Sequence, residues 1–322
     1  MKQILQEKNR SKIVNKPLIK KLKVAILGTG NIGTDLLIKV LKSPYLECAV
    51  FIGRNRKSKG MMKAQSLGVN VSDRGIGEII SNPDCCDLVF DATSASDHLV
   101  HWEVLKNLNK IAIDMTPSNI GQMFVPAIND LDFLHQDHVN INMISCGGQV
   151  SIPMAYAIKE TQKDVKYIEV VSSVASLSAG PGTRANIDEY IYTTQKALSL
   201  FSGCDKTKAI LNLNPATPCI HMQTTIFAEV DNPDIEKLTK EVNRLVKKIQ
   251  EYVPGYRLVV NPTYENNRII ITVKVSGRGD FLPEYAGNLD VINCAAVAAA
   301  EEIAKKFDQM KSPEEYRLNY NE

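Results

Sequence analysis

This chain of 322 residues lacks most of the features that would tie it to a nucleic acid, a membrane or a metal. Lys and Arg number 38 against 36 Asp and Glu, a net charge of +2, and the basic residues are scattered rather than striped. That balance gives no footprint for a polyanion. No apolar stretch approaches the ~20 residues needed to cross a bilayer. The most apolar segment, residues 294–300, is alanine-rich and runs into Glu301-Glu302, the pattern of a packed helix. The seven cysteines (Cys48, Cys85, Cys86, Cys146, Cys204, Cys219 and Cys294) are odd in number and without metal-ligand spacing. Free thiols in a reducing cytoplasm, with no metal site, are therefore expected. Internal repeats are absent. The first 23 residues hold eight Lys/Arg against one Glu without an apolar core, so they do not read as a secretory signal. A solvated, partly ordered extension over residues 1–21 is expected instead.

What remains is ordinary globular composition, 44% hydrophobic and 23% charged, in a chain long enough for two domains. The run Lys23-Val24-Ala25-Ile26-Leu27 is β-type and ends in Gly28-Thr29-Gly30-Asn31-Ile32-Gly33. A helical pattern follows through Leu36, Leu37, Val40 and Leu41, then a second β run over residues 48–53. Strand, GxGxxG, helix and strand in that order are the context a dinucleotide fingerprint requires, because the glycines let the backbone approach a pyrophosphate at the helix N-terminus. The second strand ends in Gly53-Arg54-Asn55, without the acidic residue that usually holds the NAD ribose. Arg54 leaves a 2′-phosphate, and so NADP, open.

Further strands are expected over residues 87–94, 110–114 and 139–144, with a helix over 98–108. Asp91 and Asp114, at strand ends, read as loop caps. The third of these strands delivers Cys146, within Ser145-Cys146-Gly147-Gly148-Gln149, to the sheet edge where open α/β folds bind ligands. A thiol there lies near unpaired N–H groups and a helix dipole, both favouring thiolate. By itself such a cysteine is more often a small buried hydrophobe. Beyond residue 147 the texture changes: helices over 153–160, 188–200 and 234–251, the last with a solvated charged face, and strands over 167–174, 224–230, 257–260 and 268–275. An α+β unit with an antiparallel sheet is expected. The domains then read as 22–146 for the dinucleotide and 147–287 for catalysis and dimerisation, with a last helix, about 288–308, packing back on the first.

Several motifs resemble one family, the acylating acetaldehyde dehydrogenases that partner 4-hydroxy-2-oxovalerate aldolase in bacterial meta-cleavage pathways. They are Gly28-Thr29-Gly30-Asn31-Ile32-Gly33-Thr34-Asp35, Phe90-Asp91-Ala92-Thr93-Ser94-Ala95, Cys146-Gly147-Gly148-Gln149, the run from Ser178 to Glu189, and Gly279-Asp280-Phe281-Leu282-Pro283-Glu284-Tyr285-Ala286-Gly287-Asn288-Leu289-Asp290. The likeness is collinear from about residue 22 to 307. It implies an α/β fold, a Rossmann-type domain plus an α+β domain in a glyceraldehyde-3-phosphate-dehydrogenase-like architecture. It also implies oxidation of a short aldehyde by NAD, with NADP tolerated, coenzyme A as co-substrate, and Cys146 as the acyl carrier. Cofactor contacts would fall on Gly28, Thr29, Gly30, Asn31, Ile32 and Gly33, on the loop Ser178, Ala179, Gly180, Pro181, Gly182, Thr183, Arg184, Ala185 and Asn186, and on Asn288. Arg184 is also a candidate for a CoA or cofactor phosphate. A homodimer through the second domain and an aldolase partner are implied as well.

Two departures stand out. Where the family has an Arg-Asp pair after Met, this chain has Gln223-Thr224, and threonine cannot ionise as a base. His221 is a candidate substitute, with a structural histidine as the alternative. Leu177 replaces the family's lysine before the Ser178 loop. The departures leave room for a related semialdehyde or acyl-CoA reductase, or for a catalytically weakened scaffold for the aldolase.

Overall fold

The computed structural model describes residues 21–309, so all but the last residue of the expected N-terminal extension lies outside them. The chain opens with β1 (Leu22–Leu27), α1 (Asn31–Lys42), β2 (Leu46–Ile52), α2 (Lys59–Ser66), β3 (Val71–Ser72) and α3 (Gly77–Ser81). It continues with β4 (Leu88–Asp91), α4 (Ala95–Asn107), β5 (Ile111–Asp114), β6 (Gln122–Met123) and β7 (Asn140–Asn142). These strands form one parallel sheet in the order β3-β2-β1-β4-β5-β7-β6. β1 and β4 are buried along nearly their whole length, as strands covered by helices on both faces must be. The chain leaves β1 toward β2 on one side and returns to β4 on the other. The crevice over the C-terminal ends of β1 and β4 is therefore a topological switch point.

The second half comprises α5 (Cys146–Thr161), β8 (Tyr167–Ala175), α6 (Pro181–Ala185), α7 (Ile187–Ser202), β9 (Thr207–Asn214), β10 (Met222–Glu229), α8 (Ile235–Tyr252), β11 (Tyr256–Glu265), β12 (Arg268–Val275) and α9 (Gly287–Gln309). Its sheet runs β11-β12-β10-β8-β9. The expectation of an antiparallel sheet is corrected here. β9 pairs parallel with β8, the other pairs being antiparallel, so the sheet is mixed. β9 mixes exposed, intermediate and buried positions without a clean alternation, which is why its sequence, TKAILNLN, does not announce a strand. α5 and α8 cover one face, with Val150, Met154 and Ile158 meeting Leu238, Val242, Leu245 and Ile249 in one core.

Two further expectations are corrected. The helix expected over 153–160 begins at Cys146 and runs through Pro153, its interior so fully buried that packing outweighs the lost backbone bond. The strand expected over 139–144 stops at Asn142, because Ile144 turns to φ 65°.

α9 joins the two halves. Ala295, Ala296, Ala299 and Ile303 pack in the core of the parallel sheet, whereas Val291 and Cys294 belong to the core of the mixed sheet. A buried lysine fixes this arrangement. Lys39, its side chain 4% exposed, meets Asp35 at 2.9 Å, Asp280 at 3.0 Å and Asp290 at 2.7 Å. Asn293 donates to Asp35 at 2.8 Å, and Lys42 also reaches Asp280. Removing one partner from a buried ion cluster leaves uncompensated charge, which costs about 3–5 kcal/mol. Lys39→Ala is thus expected to lower the unfolding free energy by about that amount in urea titration. A loss below about 1 kcal/mol would show that the cluster does not hold the halves together.

Candidate active site

The site is built first from glycines. Gly28, directly after β1, sits at φ 105°, and a Cβ there would stand 2.4 Å from the Ala92 carbonyl oxygen. A Cβ on Gly33 would stand 1.9 Å from the Gly28 oxygen. The turn and the packing of α1 on it therefore exclude any side chain at these two positions. Gly30 faces open space and caps α1 without a side-chain acceptor, which leaves the first-turn N–H groups for a ligand.

Two adjoining cavities lie over this turn. One, of about 420 Å³, extends from Gly28, Thr29 and Gly30 to Gly53, Arg54, Asn55, Asp97 and His101. The other, of about 460 Å³, runs from Gly30, Asn31 and Ile32 past Thr116 to Cys146 and Tyr190. They share Gly30, Ala92, Thr93, Ser94 and Gly182. A glycine cradle at a helix N-terminus between two linked cavities fits a dinucleotide.

The mixed-sheet half supplies the opposite wall. Ser178, Gly180, Pro181, Gly182, Thr183 and Asn186 line the second cavity, and the Asn186 carboxamide reaches the Ala95 N–H at 3.4 Å. The expected loop is partly helical, since α6 lies within it. Ala179 is buried beneath this wall and Ala185 is exposed, and neither lines the cavity. Arg184 does not reach into the cleft either. It donates to the Ala179 oxygen at 2.9 Å and to the Ser176 hydroxyl at 2.9 Å, folding its own loop. Asn288 is buried at the start of α9 with its Oδ1 unpartnered, while its neighbours Leu289 and Ile292 line the cavity.

Cys146 is the first residue of α5. Asn142 Oδ1 accepts the Ile144 N–H at 2.8 Å and holds a β-branched residue in the left-handed region, which stores strain next to the cysteine. Ser145 then caps the helix, its Oγ accepting from Gly148 N–H at 2.8 Å. The expectation of an easily ionised thiol is corrected. Burial pushes the Cys146 thiol up to about 12, although the N–H groups of Gly147 and Cys146 pull the other way. The residue is open on its cavity side only in part. Around it, among the described residues lining this cavity, there is no Asp, Glu, His, Lys or Arg.

Alternation along β10 decides the fate of the departures: Gln223 faces out, and Thr224 is fully buried. Thr224 Oγ1 lies 2.9 Å from the Ser172 hydroxyl. His221 is half-buried, away from the cavity lining, with Nδ1 unpartnered, which suits a structural histidine better than a base.

The loop-cap reading of Asp91 and Asp114 holds only in part. Both accept backbone N–H bonds, but both are also fully buried around His98. His98 Nδ1 lies 2.9 Å from Asp91 Oδ2, His101 Nδ1 lies 2.8 Å from the same oxygen, and Asp114 is 3.6 Å from His98 Nε2. Burial works against charge on His98, but the bond to Asp91 and the field of Asp114 outweigh it and raise its pKa. Burial pushes Asp114 up to about 6. Tyr190, Ser172 and the histidine–aspartate cluster escape sequence reasoning, because nothing in their local spacing marks them.

A Rossmann-type parallel sheet with a glycine cradle, closed by a mixed-sheet domain across the cleft, defines a two-domain dehydrogenase that uses a nicotinamide dinucleotide. The fold matches aspartate semialdehyde dehydrogenase with NADP from Candida albicans, with a TM-score of 0.58 at 12% identity over 88% of this chain and 100% of that one. Residues 146–283 match the family model described as prokaryotic acetaldehyde dehydrogenase, dimerisation. The acetaldehyde dehydrogenase of Pectobacterium atrosepticum is 56% identical over 287 residues, covering 89% of this chain and 97% of that protein. That of Spirochaeta aurantia is 57% identical over 286 residues, covering 89% and 96%. The chain belongs to the acetaldehyde dehydrogenase family, and its second domain is that family's dimerisation domain. Among the described residues no helix is long and apolar enough to cross a membrane.

Two expectations follow from the electrostatics. Alkylation of Cys146 by iodoacetamide, followed by mass spectrometry of its peptide, is expected to quicken about tenfold per pH unit from pH 7 to 10 without a plateau. A plateau near pH 8 would show a stabilised thiolate. His98 has a raised folded pKa, so its pairing stabilises fully below its ordinary 6.5 and is lost as pH climbs through the raised value. The urea-midpoint gap between the native chain and His98→Gln is therefore expected to be widest at pH 5.5 and to narrow by pH 8.5. A gap that widens with pH would contradict the charged pairing.

Proposed function

We propose that this chain oxidises a short aldehyde, acetaldehyde foremost, to its coenzyme A thioester, with Cys146 carrying the acyl group between the two halves of the reaction. The observation that carries this reading is the position of Cys146. Among the described residues it provides the one thiol lining the larger cavity, at the C-terminal edge of the dinucleotide sheet and opposite the Ser178–Asn186 wall. A bound nicotinamide supplies the hydride acceptor. Gly28 to Gly33 would hold its pyrophosphate, and Thr183 and Asn186 line the wall facing the reacting end.

The Cys146 thiol gives up its proton as its sulphur bonds the aldehyde carbon and the carbonyl oxygen takes up a proton, giving a thiohemiacetal on the cysteine. Loss of hydride from that carbon and of the hydroxyl proton to solvent leaves a thioester, which the CoA thiol then displaces, returning Cys146. Apolar Ile32, Met115, Pro117, Leu289 and Ile292 in the same cavity suit a small aldehyde. A phosphate nucleophile would find no cation beside Cys146 among the described lining residues, whereas a neutral thiol needs none. That favours acyl transfer to CoA over the related acyl-phosphate chemistry.

NAD is the cofactor in this reading, with NADP tolerated. The end of β2 offers Gly53-Arg54-Asn55 rather than a carboxylate, and Arg54 stands 84% exposed at the rim of the smaller cavity. The reading also includes a cytoplasmic homodimer through the second domain, in line with the match to the dimerisation model, and supply of the aldehyde by a 4-hydroxy-2-oxovalerate aldolase partner. The test is spectrophotometric. The chain with acetaldehyde, CoA and NAD is expected to form NADH and acetyl-CoA, and Cys146→Ser to lower that rate by about three orders of magnitude while nucleotide binding persists. NADH formation undiminished in Cys146→Ser would remove the cysteine from the mechanism.

A further inference from the structure

The charge that develops on the aldehyde oxygen has no ionic partner among the described residues lining the cavity around Cys146, yet a chain of buried hydroxyls ends beside it. Tyr190, in the first turns of α7, is 6% exposed and lines the cavity together with Ser145 and Cys146. Gly147 follows the cysteine, and a Cβ there would fall 1.9 Å from the tyrosine hydroxyl and 3.2 Å from the Ser172 hydroxyl. The missing side chain at Gly147 is therefore the space these two hydroxyls use. The Tyr190 and Ser172 hydroxyls crowd the same side of Gly147. Ser172 lies directly across the β8–β10 pairing from Thr224, with the hydroxyls 2.9 Å apart. Thr224 is 0% and Ser172 1% exposed.

Counting protons gives this chain a direction. Each hydroxyl has one proton to donate. If Tyr190 donated to Ser172 and Ser172 to Thr224, the threonine proton would be buried without an acceptor, since Ser172 is the only hydrogen-bond partner of Thr224 Oγ1 among the described residues. An unpaired buried donor costs about 1–3 kcal/mol. In the reverse order Thr224 donates to Ser172, Ser172 donates to Tyr190, and the tyrosine proton is left for the cavity. Burial keeps the phenol neutral, so it acts as a donor there.

On the reading of Cys146 as acyl carrier, we propose that the Tyr190 hydroxyl is the catalytic hydrogen-bond donor to the oxygen of the carbon bonded to Cys146. Ser172 and Thr224 are the positioning residues that hold it as a donor. No proton changes owner in this role. The phenol stabilises the oxygen as the carbon–sulphur bond forms, and again when CoA attacks the thioester.

The experiment compares Tyr190→Phe, Thr224→Val and Thr224→Ser in the acetaldehyde, CoA and NAD assay, with iodoacetamide labelling of Cys146 as a second readout. Loss of one oxyanion donor lowers kcat about 100-fold, the effect expected of Tyr190→Phe, with the KM for NAD and the rate of Cys146 alkylation unchanged. Thr224→Val, which leaves the phenol in place but unheld, is expected to lower kcat about tenfold, and Thr224→Ser to restore it. A kcat within twofold of the native value in Tyr190→Phe overturns the proposal. So does a parallel fall in Cys146 alkylation, which would place the hydroxyl's effect on the sulphur. A native chain that forms NADH without acyl-CoA would instead overturn the acyl-carrier reading on which the proposal rests.

Discussion

The cleft exists because one buried cation holds three pieces of backbone in register. Lys39 projects from α1, the helix that also presents the dinucleotide turn, and is surrounded by Asp35, Asp280 and Asp290. Two of those carboxylates come from the segment that leaves the mixed sheet and enters α9. α9 in turn lays alanines against the parallel sheet and Val291 and Cys294 against the other core. A helix of small residues can pack closely on two sides, but its apolar contacts do not specify one axial position strongly. A charged group that must be paired within hydrogen-bond distance does. The distance between the glycine cradle and the Ser178–Asn186 wall, and so the size of the cavity around Cys146, follows from that constraint.

The chemistry around Cys146 is then a problem in a neutral environment. Burial opposes the thiolate, and among the described residues no Asp, Glu, His, Lys or Arg lines the cavity to compensate. The charged residues nearby pair elsewhere: Asp91, Asp114 and His98 are buried under the strand ends, and His101, at the edge of the smaller cavity, bonds the same Asp91 oxygen. Neutral donors are what remains beside Cys146, namely the N–H groups at the start of α5 and, in the proposed role, the hydroxyl of Tyr190. In a site of low polarity such donors act more strongly than in water, because nothing must reorganise when charge appears.

Much of this was legible in the residues. The strand-glycine-helix-strand order located the cofactor turn, since only glycines satisfy φ 105° at Gly28 and the 1.9 Å approach at Gly33. The place of Cys146 between a β run and a glycine pair was legible too, but only the family resemblance, and not that local pattern, singled it out as a candidate nucleophile. Misreadings occurred where a local pattern was outvoted by packing. α5 runs through Pro153 because its interior is buried on all sides, and β9 becomes a strand because β8 offers it a parallel edge. Arg184 was a reasonable phosphate ligand by composition, but the carbonyl groups of its own loop capture it first.

The sequence by itself determined the dinucleotide-type turn and the cysteine at the sheet edge, because each depends on residue types within a few positions of one another. Tertiary structure alone decided what accompanies Cys146. Thr224 and Gln223 are adjacent in the chain, yet strand alternation sends one into the core against Ser172 and the other to the surface. Tyr190 reaches Cys146 from forty-four positions away, as the difference of their numbers shows, and carries no local mark of it. Hydrogen bonds act over about 3 Å and depend on direction, so which side chains act together is settled only when the two sheets and α7 have been brought into place.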